Sequence, residues 1–222
     1  MIKRIFDFMV SFVGVVALLP ILAVIAVWIK FDSSGPVFYR GIRVGKNGKS
    51  FRVFKFRTMV VNADKIGGPS TSEDDPRVTK VGRFIRSYKI DELPQLLNVL
   101  KGEMSLVGPR PEVPSEVELY TNEERGLLSV TPGITDWASI RFRNEGEILK
   151  GSLDPHLAYR EKIRPEKIRL GLDYAEKHGF GIDLKIIVAT LWAIAGGNPE
   201  ALVDMPRIPH RAVGHVQGKD VI

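Results

Sequence analysis

The chain has 222 residues, of which 44% are hydrophobic and 26% charged, with a formal net charge of +6. That is enough for one compact domain plus a membrane element and too little for two large domains, and the positive balance suits an anionic partner such as nucleic acid, lipid head groups or a phosphorylated substrate. Cysteine is absent, which excludes a disulfide framework, thiolate zinc sites and a cysteine nucleophile.

After Lys3 and Arg4, the run from Phe8 to Ile29 has Ser11 as its only polar residue and is long enough to cross a bilayer as a helix. No small-x-small cleavage site follows, so the segment is read as retained rather than as a signal peptide. Pro20 divides the run; it removes a backbone donor and clashes with the carbonyl four residues earlier, so a kink is expected there. Basic residues flank both ends, Lys3 and Arg4 before, then Lys30, Arg40, Arg43, Lys46 and Lys49 after, and both flanks favour the cytoplasmic side. A re-entrant helix-break-helix satisfies both; a tilted single span with a tolerated proline is the alternative.

From Pro36 to Met59, basic and β-prone residues alternate around Asn47-Gly48, which reads as a short β-hairpin. The stretch from Asn62 to Pro76 is rich in Gly, Ser, Asp and Pro and reads as a mobile surface loop. Leu93, Leu96, Leu97 and Leu100, followed by Gly102, describe a short amphipathic helix with Asp91 and Glu92 at its N-terminus. Gly108-Pro109-Arg110-Pro111 is stiff and non-helical, and Thr131-Pro132-Gly133 marks a turn. Helices are expected at Arg164–Lys177 and Asp183–Ala195, the second with Leu184, Ile187, Leu191 and Ile194 on one side, packed against the domain. The fold class is therefore α+β and mainly helical, divided into a membrane hairpin (1–35), a compact helical catalytic domain at the membrane interface (36–197) and an extended or disordered tail (198–222).

Adjacent carboxylates at a helix N-terminus are explained by capping and the helix dipole alone. Asp91 and Glu92, however, lie in a chain with Lys55, Arg57, Arg83, Arg86 and Arg110 nearby in sequence. Carboxylate amid guanidinium suits phosphate chemistry, which needs cations or a divalent metal on the phosphate oxygens and one positioned nucleophile or base. For any single arginine, a solvated basic surface explains it equally well. The four histidines give no metal-ligand pair at helical spacing, and no Walker or dinucleotide glycine loop occurs.

Lys55-Phe56-Arg57-Thr58-Met59, the run Asp91-Glu92-Leu93-Pro94-Gln95-Leu96, and Gly108-Pro109-Arg110-Pro111-Glu112, preceded by Lys3, Arg4 and Asp7 ahead of an apolar hairpin, resemble the bacterial sugar transferases. These are monotopic polyprenyl-phosphate phosphoglycosyl transferases, and the resemblance covers roughly residues 1–195. It implies that Asp91 attacks the diphosphate of a UDP-sugar, releases UMP and holds the phosphosugar covalently. Polyprenyl (undecaprenyl) phosphate then takes the phosphosugar in the first membrane step of a glycoconjugate pathway. It further implies Mg2+ as cofactor with Asp91 as ligand, Glu92 as the supporting carboxylate, and Lys55, Arg57, Arg86, Arg110 and Arg143 around the phosphates. The implied partners are a UDP-sugar, polyprenyl phosphate and the bacterial inner membrane, with the catalytic domain on the cytoplasmic face, no nucleic acid, and a homodimer as a possible assembly.

Departures from the family pattern fall at Leu19-Pro20, where the break usually carries serine, at Asp136 and Ser139 after Pro132-Gly133-Ile134-Thr135, and at Gly171 before Tyr174, where an acidic residue is frequent. Two other classes compete. A basic, non-enzymatic membrane-anchored module accounts for charge and anchor without needing Asp91 or Glu92. Nucleic-acid binding through the basic hairpin leaves the run from Phe8 to Ile29 unexplained.

Overall fold

The computed structural model describes residues 1–67, 71, 72, 74–199 and 206. Most of the expected tail lies outside these residues. The apolar N-terminal run folds as one helix, α1 (Ile2–Asp32), with Pro20 inside it. The expected division into two helices is not seen; α1 is continuous, and it is long and apolar enough to cross a membrane.

Helix α1 is covered on one side towards each end. Asp7, Ser11, Ile25 and Ile29 are buried, Phe6 packs on one core cluster and Leu22 and Ala26 on another, and a Cβ on Gly14 would lie 3.2 Å from Leu96 Cδ1. Within each of the two groups, Phe6 to Gly14 and Leu22 to Ile29, the positions recur every three to four residues, the spacing that keeps one helix face turned to a neighbour. Met9, Val13, Val16, Leu19, Val24 and Val27 face outward.

The hairpin forms as expected. Strand β1 (Phe38–Tyr39) leads to β2 (Ile42–Val44), which pairs antiparallel with β3 (Ser50–Arg52), while β4 (Lys55–Phe56) returns beside β1 with Tyr39 opposite Lys55. The turn places both Asn47 and Gly48 at positive φ, the twist that joins antiparallel strands most tightly. The stretch read as a mobile loop begins instead with a short helix, α2 (Ala63–Ile66). Its return is tied by a Met59–Val78 bridge and by Arg77, which grips Asp75 and donates to the Ala63 carbonyl.

Helix α3 (Lys80–Ser87) is capped by the Thr79 hydroxyl, which accepts from Gly82 N. The amphipathic helix expected from Leu93 is two pieces: a 3₁₀ turn, Ile90–Gln95, and then α4 (Leu96–Lys101), closed by Gly102 at positive φ. Pro94 lies inside the turn, before α4 begins, where its missing N–H is tolerated. Asp91 and Glu92 therefore sit in the 3₁₀ turn.

Strand β5 (Ser105–Val107) pairs in parallel with β6 (Gly133–Thr135), although Gly133 was read as part of a turn. Between them run α5 (Pro114–Val117) and a 3₁₀ segment, Glu124–Ser129. The backbones approach so closely at the ladder's end that a Cβ on Gly133 would lie 2.0 Å from Gly108 N, so glycine is needed here for space. The rest is helical: α6 (Trp137–Arg141), α7 (Glu145–Leu149), α8 (Pro155–Lys162), α9 (Arg164–Lys177) and α10 (Phe180–Ile194). Helix α9 has the expected bounds. Helix α10 does pack on the domain, but through Asp183, Ile186 and Ala189; Leu184, Leu191 and Ile194, on the side read as the packing face, are 48%, 61% and 70% exposed.

The main core joins Leu106, Val107, Trp137, Ile140, Leu170, Tyr174 and Ile186; a second, under α1 and α3, joins Ile25, Ile29, Phe56, Val81 and Ile85. Asn98, fully buried, links hairpin to helix by donating to the Arg52 carbonyl (2.9 Å) and Glu103 Oε2 (2.7 Å) and accepting from Phe54 N (2.8 Å). Asn98→Ala strands these partners away from water and is expected to cost about 3 kcal/mol, lowering the thermal melting point by roughly 10 °C. An unchanged melt would show that the hairpin is held elsewhere.

Candidate active site

Three separate segments meet around the two carboxylates. The 3₁₀ turn presents Asp91 and Glu92, β4 brings Lys55, and the loop after β5 brings Arg110. Lys55 Nζ lies 2.8 Å from Asp91 Oδ2 and 3.1 Å from Glu92 Oε1. Arg110 grips Glu92 with both Nη atoms, Nη1 at 3.0 Å from Oε2 and Nη2 on Oε1. Asp91 is 2% exposed, and its Oδ1 is buried with no hydrogen-bond partner among the described residues. A buried carboxylate oxygen held without a donor is costly unless something else meets it.

Electrostatics divides the pair. Burial alone would raise the Glu92 pKa, but the charges of Arg110 and then Lys55 outweigh it and hold the carboxyl well below its ordinary value. Arg110 is in turn raised above its ordinary value, chiefly by Glu92. Glu92 is thus committed to its cations, whereas Asp91 keeps one oxygen uncommitted. The negative charge of Glu92 is thereby neutralised, which lowers the repulsion that a phosphate would meet beside Asp91.

Lys89, which the sequence reading passed over, belongs to this group. It stands at positive φ immediately before the turn. Desolvation lowers its pKa, with Arg110 and Lys55 adding repulsion against the attraction of Glu92 and Asp91. Its place two residues before Asp91 was the available signal.

The other expected cations lie apart. Arg57 is buried and donates to the Ser34 carbonyl (2.5 Å), the Ser33 carbonyl (2.7 Å) and the Ser33 hydroxyl (3.0 Å). It therefore closes the C-terminus of α1, where free carbonyls favour a cation. Arg143 donates to the Ala193 carbonyl near the end of α10. The guanidinium of Arg86, half-buried on α3, makes no hydrogen bond or ion pair among the described residues, and its charge reaches Asp75.

Asp136, Ser139 and Gly171, three of the positions that depart from the family pattern, have structural duties. Asp136 caps α6 by accepting from Ser139 N at 2.7 Å. Gly171 lies under Leu127 and Pro109, where a Cβ would come within 2.6 Å of Leu127 Cδ2.

The N-terminus of α1 is locked to the strand that leads to Arg110. Lys3 Nζ meets Asp183 Oδ2 at 2.7 Å and the Val107 carbonyl at 3.1 Å; the Tyr174 hydroxyl reaches Asp183 Oδ1 at 2.6 Å; and Asp7 accepts from the Ser105 hydroxyl at 2.8 Å. The apolar helix and the carboxylate group are parts of one body.

A carboxylate pair screened by lysine and arginine, in a chain with a long outward-facing apolar helix, is an arrangement suited to phosphate groups at a membrane. The chain belongs to the bacterial sugar transferase family, whose model matches residues 1–197. It is 41% identical over 200 residues to an undecaprenyl-phosphate glucose phosphotransferase of Komagataeibacter xylinus, covering 85% of this chain and 35% of that protein. It is 38% identical over 197 residues to the UDP-glucose:undecaprenyl-phosphate glucose-1-phosphate transferase of Escherichia coli K12, covering 86% and 40%. A Bacillus subtilis protein described as an uncharacterized sugar transferase is 39% identical over 191 residues, covering 86% of this chain and 85% of the relative. The match thus spans well under half the length of the first two.

Proposed function

We propose that this chain transfers a phosphosugar from a UDP-sugar to polyprenyl phosphate in two steps. The observation that carries this reading is Asp91, buried, with one oxygen on Lys55 and the other without a donor. In the first step an Asp91 oxygen attacks the sugar-bearing phosphorus, the bond from that phosphorus to the bridging oxygen breaks, and UMP leaves with the electron pair. In the second, a phosphate oxygen of the acceptor attacks the same phosphorus and Asp91 departs as carboxylate, giving polyprenyl diphosphate-sugar. Lys55 orients Asp91, Arg110 keeps Glu92 charged and occupied, and Lys89 is the cation left to meet phosphate oxygens.

Mg2+ fits this site as proposed cofactor. No group of three candidate ligand side chains occurs among the described residues, but Mg2+ usually takes one or two carboxylates and draws its other ligands from substrate phosphates and water. Asp91 Oδ1 is the oxygen available to it. The ion would supply charge neutralisation on the diphosphate.

The proposed setting is the cytoplasmic face of the bacterial inner membrane, with α1 entering and leaving by one face. A straight helix of this length would reach about 46 Å, more than the roughly 30 Å of a hydrocarbon core. Yet both ends of α1 are bonded to the same domain, through Lys3 to Asp183 and through Arg57 to Ser33 and Ser34. A cysteine at position 2 and one at position 47 are accordingly expected to react only with reagent on the cytoplasmic side; reaction from opposite sides would establish a span.

The reaction is tested by isotope exchange between UMP and a UDP-sugar panel, with Mg2+ and without acceptor. Exchange with one donor supports the covalent step and identifies the sugar. UMP release only when acceptor is present would replace it with direct transfer, and no release from any donor or acceptor would overturn the function.

A further inference from the structure

Three aromatic rings stand in a row on the outer surface beside the carboxylate turn. Trp28 of α1 lies 5.3 Å, centroid to centroid, from Phe84 of α3, and Phe84 lies 5.0 Å from Tyr88 at the end of that helix. They are 43%, 47% and 64% exposed. The helices that carry Trp28 and Phe84 also supply Ile25, Ile29, Val81 and Ile85 to one core cluster, so the row is an apolar strip on packed elements. A contiguous exposed aromatic strip on a folded domain marks a binding surface more than isolated exposed residues do.

The strip has a direction. At one end Trp28 belongs to the apolar helix; at the other, Tyr88 is three residues from Asp91, a Cα separation of at most about 11 Å. Lys89, whose charge interacts with Glu92 and Asp91, follows Tyr88 directly in the chain. Hydrocarbon surface, then a cation, then the carboxylate is an order that matches the parts of a long-chain phosphate ester.

We infer that the Trp28–Phe84–Tyr88 row is the subsite for the isoprenoid chain of the acceptor, holding units beyond the first two as the phosphate reaches Lys89 and Asp91. This subsite presupposes the transferase function proposed above. Its chemistry is apolar contact with ring faces, so it selects chain length and leaves the donor untouched. The competing occupant is bulk lipid, since Trp and Tyr are also general interfacial anchors.

The test uses the full chain in detergent, comparing wild type with Phe84→Ala/Tyr88→Ala and, separately, Trp28→Ala. Undecaprenyl phosphate and short geranyl phosphate are each scored as substrate or competitive inhibitor, and UMP exchange without acceptor serves as the donor-side control. The double variant is expected to raise KM for undecaprenyl phosphate about tenfold, with geranyl phosphate and exchange within about twofold of wild type. Unchanged KM for the long chain, or equal losses for both acceptors, overturns the subsite. So does retention of normal KM in detergent with reduced binding to phosphatidylethanolamine–phosphatidylglycerol vesicles, which would assign the rings to bulk lipid. Absence of exchange in the wild type overturns the covalent transferase mechanism itself, a distinguishable failure.

Discussion

Asp91→Asn is expected to reduce UMP exchange and phosphosugar transfer by at least about a thousandfold while leaving the fold intact. An asparagine side chain matches the aspartate in size and still offers an oxygen to Lys55, now 2.8 Å from Asp91 Oδ2, so the turn has no reason to rearrange. What it loses is the anionic nucleophile. A melt close to wild type with no exchange supports the assignment; a donor labelled in its sugar should also leave label on denatured wild-type protein and none on the variant. Full activity would remove Asp91 from the chemistry and bring forward the non-enzymatic, membrane-anchored alternative.

Arg110→Gln is expected to lower kcat/KM for the donor by about a hundredfold, the scale of losing one charged group at a phosphate site, and to move the acidic limb of activity to higher pH. The sign follows from the balance on Glu92. Its pKa is depressed because Arg110 and Lys55 outweigh the effect of burial, so the wild-type carboxyl stays ionised above that low pKa and is neutralised only as the pH falls through it. Without Arg110 the larger opposing attraction is gone, the pKa rises, and protonation begins at higher pH. Arg110→Lys, which keeps a charge but not the two-pronged grip, should restore part of the acidic limb. The pH profile of UMP release checks both. A profile displaced in neither variant would show that Glu92 ionisation is not what Arg110 provides.

Much of this site was legible in the chain. Asp91 and Glu92 stand out as adjacent carboxylates in a basic context, and Lys55 and Arg110 belong to motifs that resemble the family's. That these two cations, and not Arg57 or Arg143, reach the carboxylates was not legible. Lys55 is 37 residues from Glu92 and Arg110 is 18, and no local rule relates a strand, a 3₁₀ turn and a loop at those separations. Arg57 illustrates the difficulty: two residues from Lys55 on an extended segment, it shares its motif and charge but closes the end of α1. Lys89 was missed for the opposite reason, since its value depends on charges brought to it from elsewhere. The expected helix over Leu93–Leu100 begins only at Leu96, after a 3₁₀ turn that starts upstream at Ile90 and contains Pro94, and Pro94, tolerated in a first turn, did not by itself reveal that junction.

By itself the sequence determined what depends on near neighbours and on composition: the apolar length of α1, the turn at Asn47-Gly48, helix α9, and the exclusion of cysteine chemistry. These follow from steric preferences and periodicity acting over a few residues. Only the tertiary structure decided that both ends of α1 are bonded to one domain, that β5 and β6 pair in parallel, that α10 buries Asp183, Ile186 and Ala189, and which cations meet Asp91 and Glu92. Each of those depends on which distant surfaces exclude water from one another, and an apolar or charged residue carries no record in its own identity of the partner it will meet.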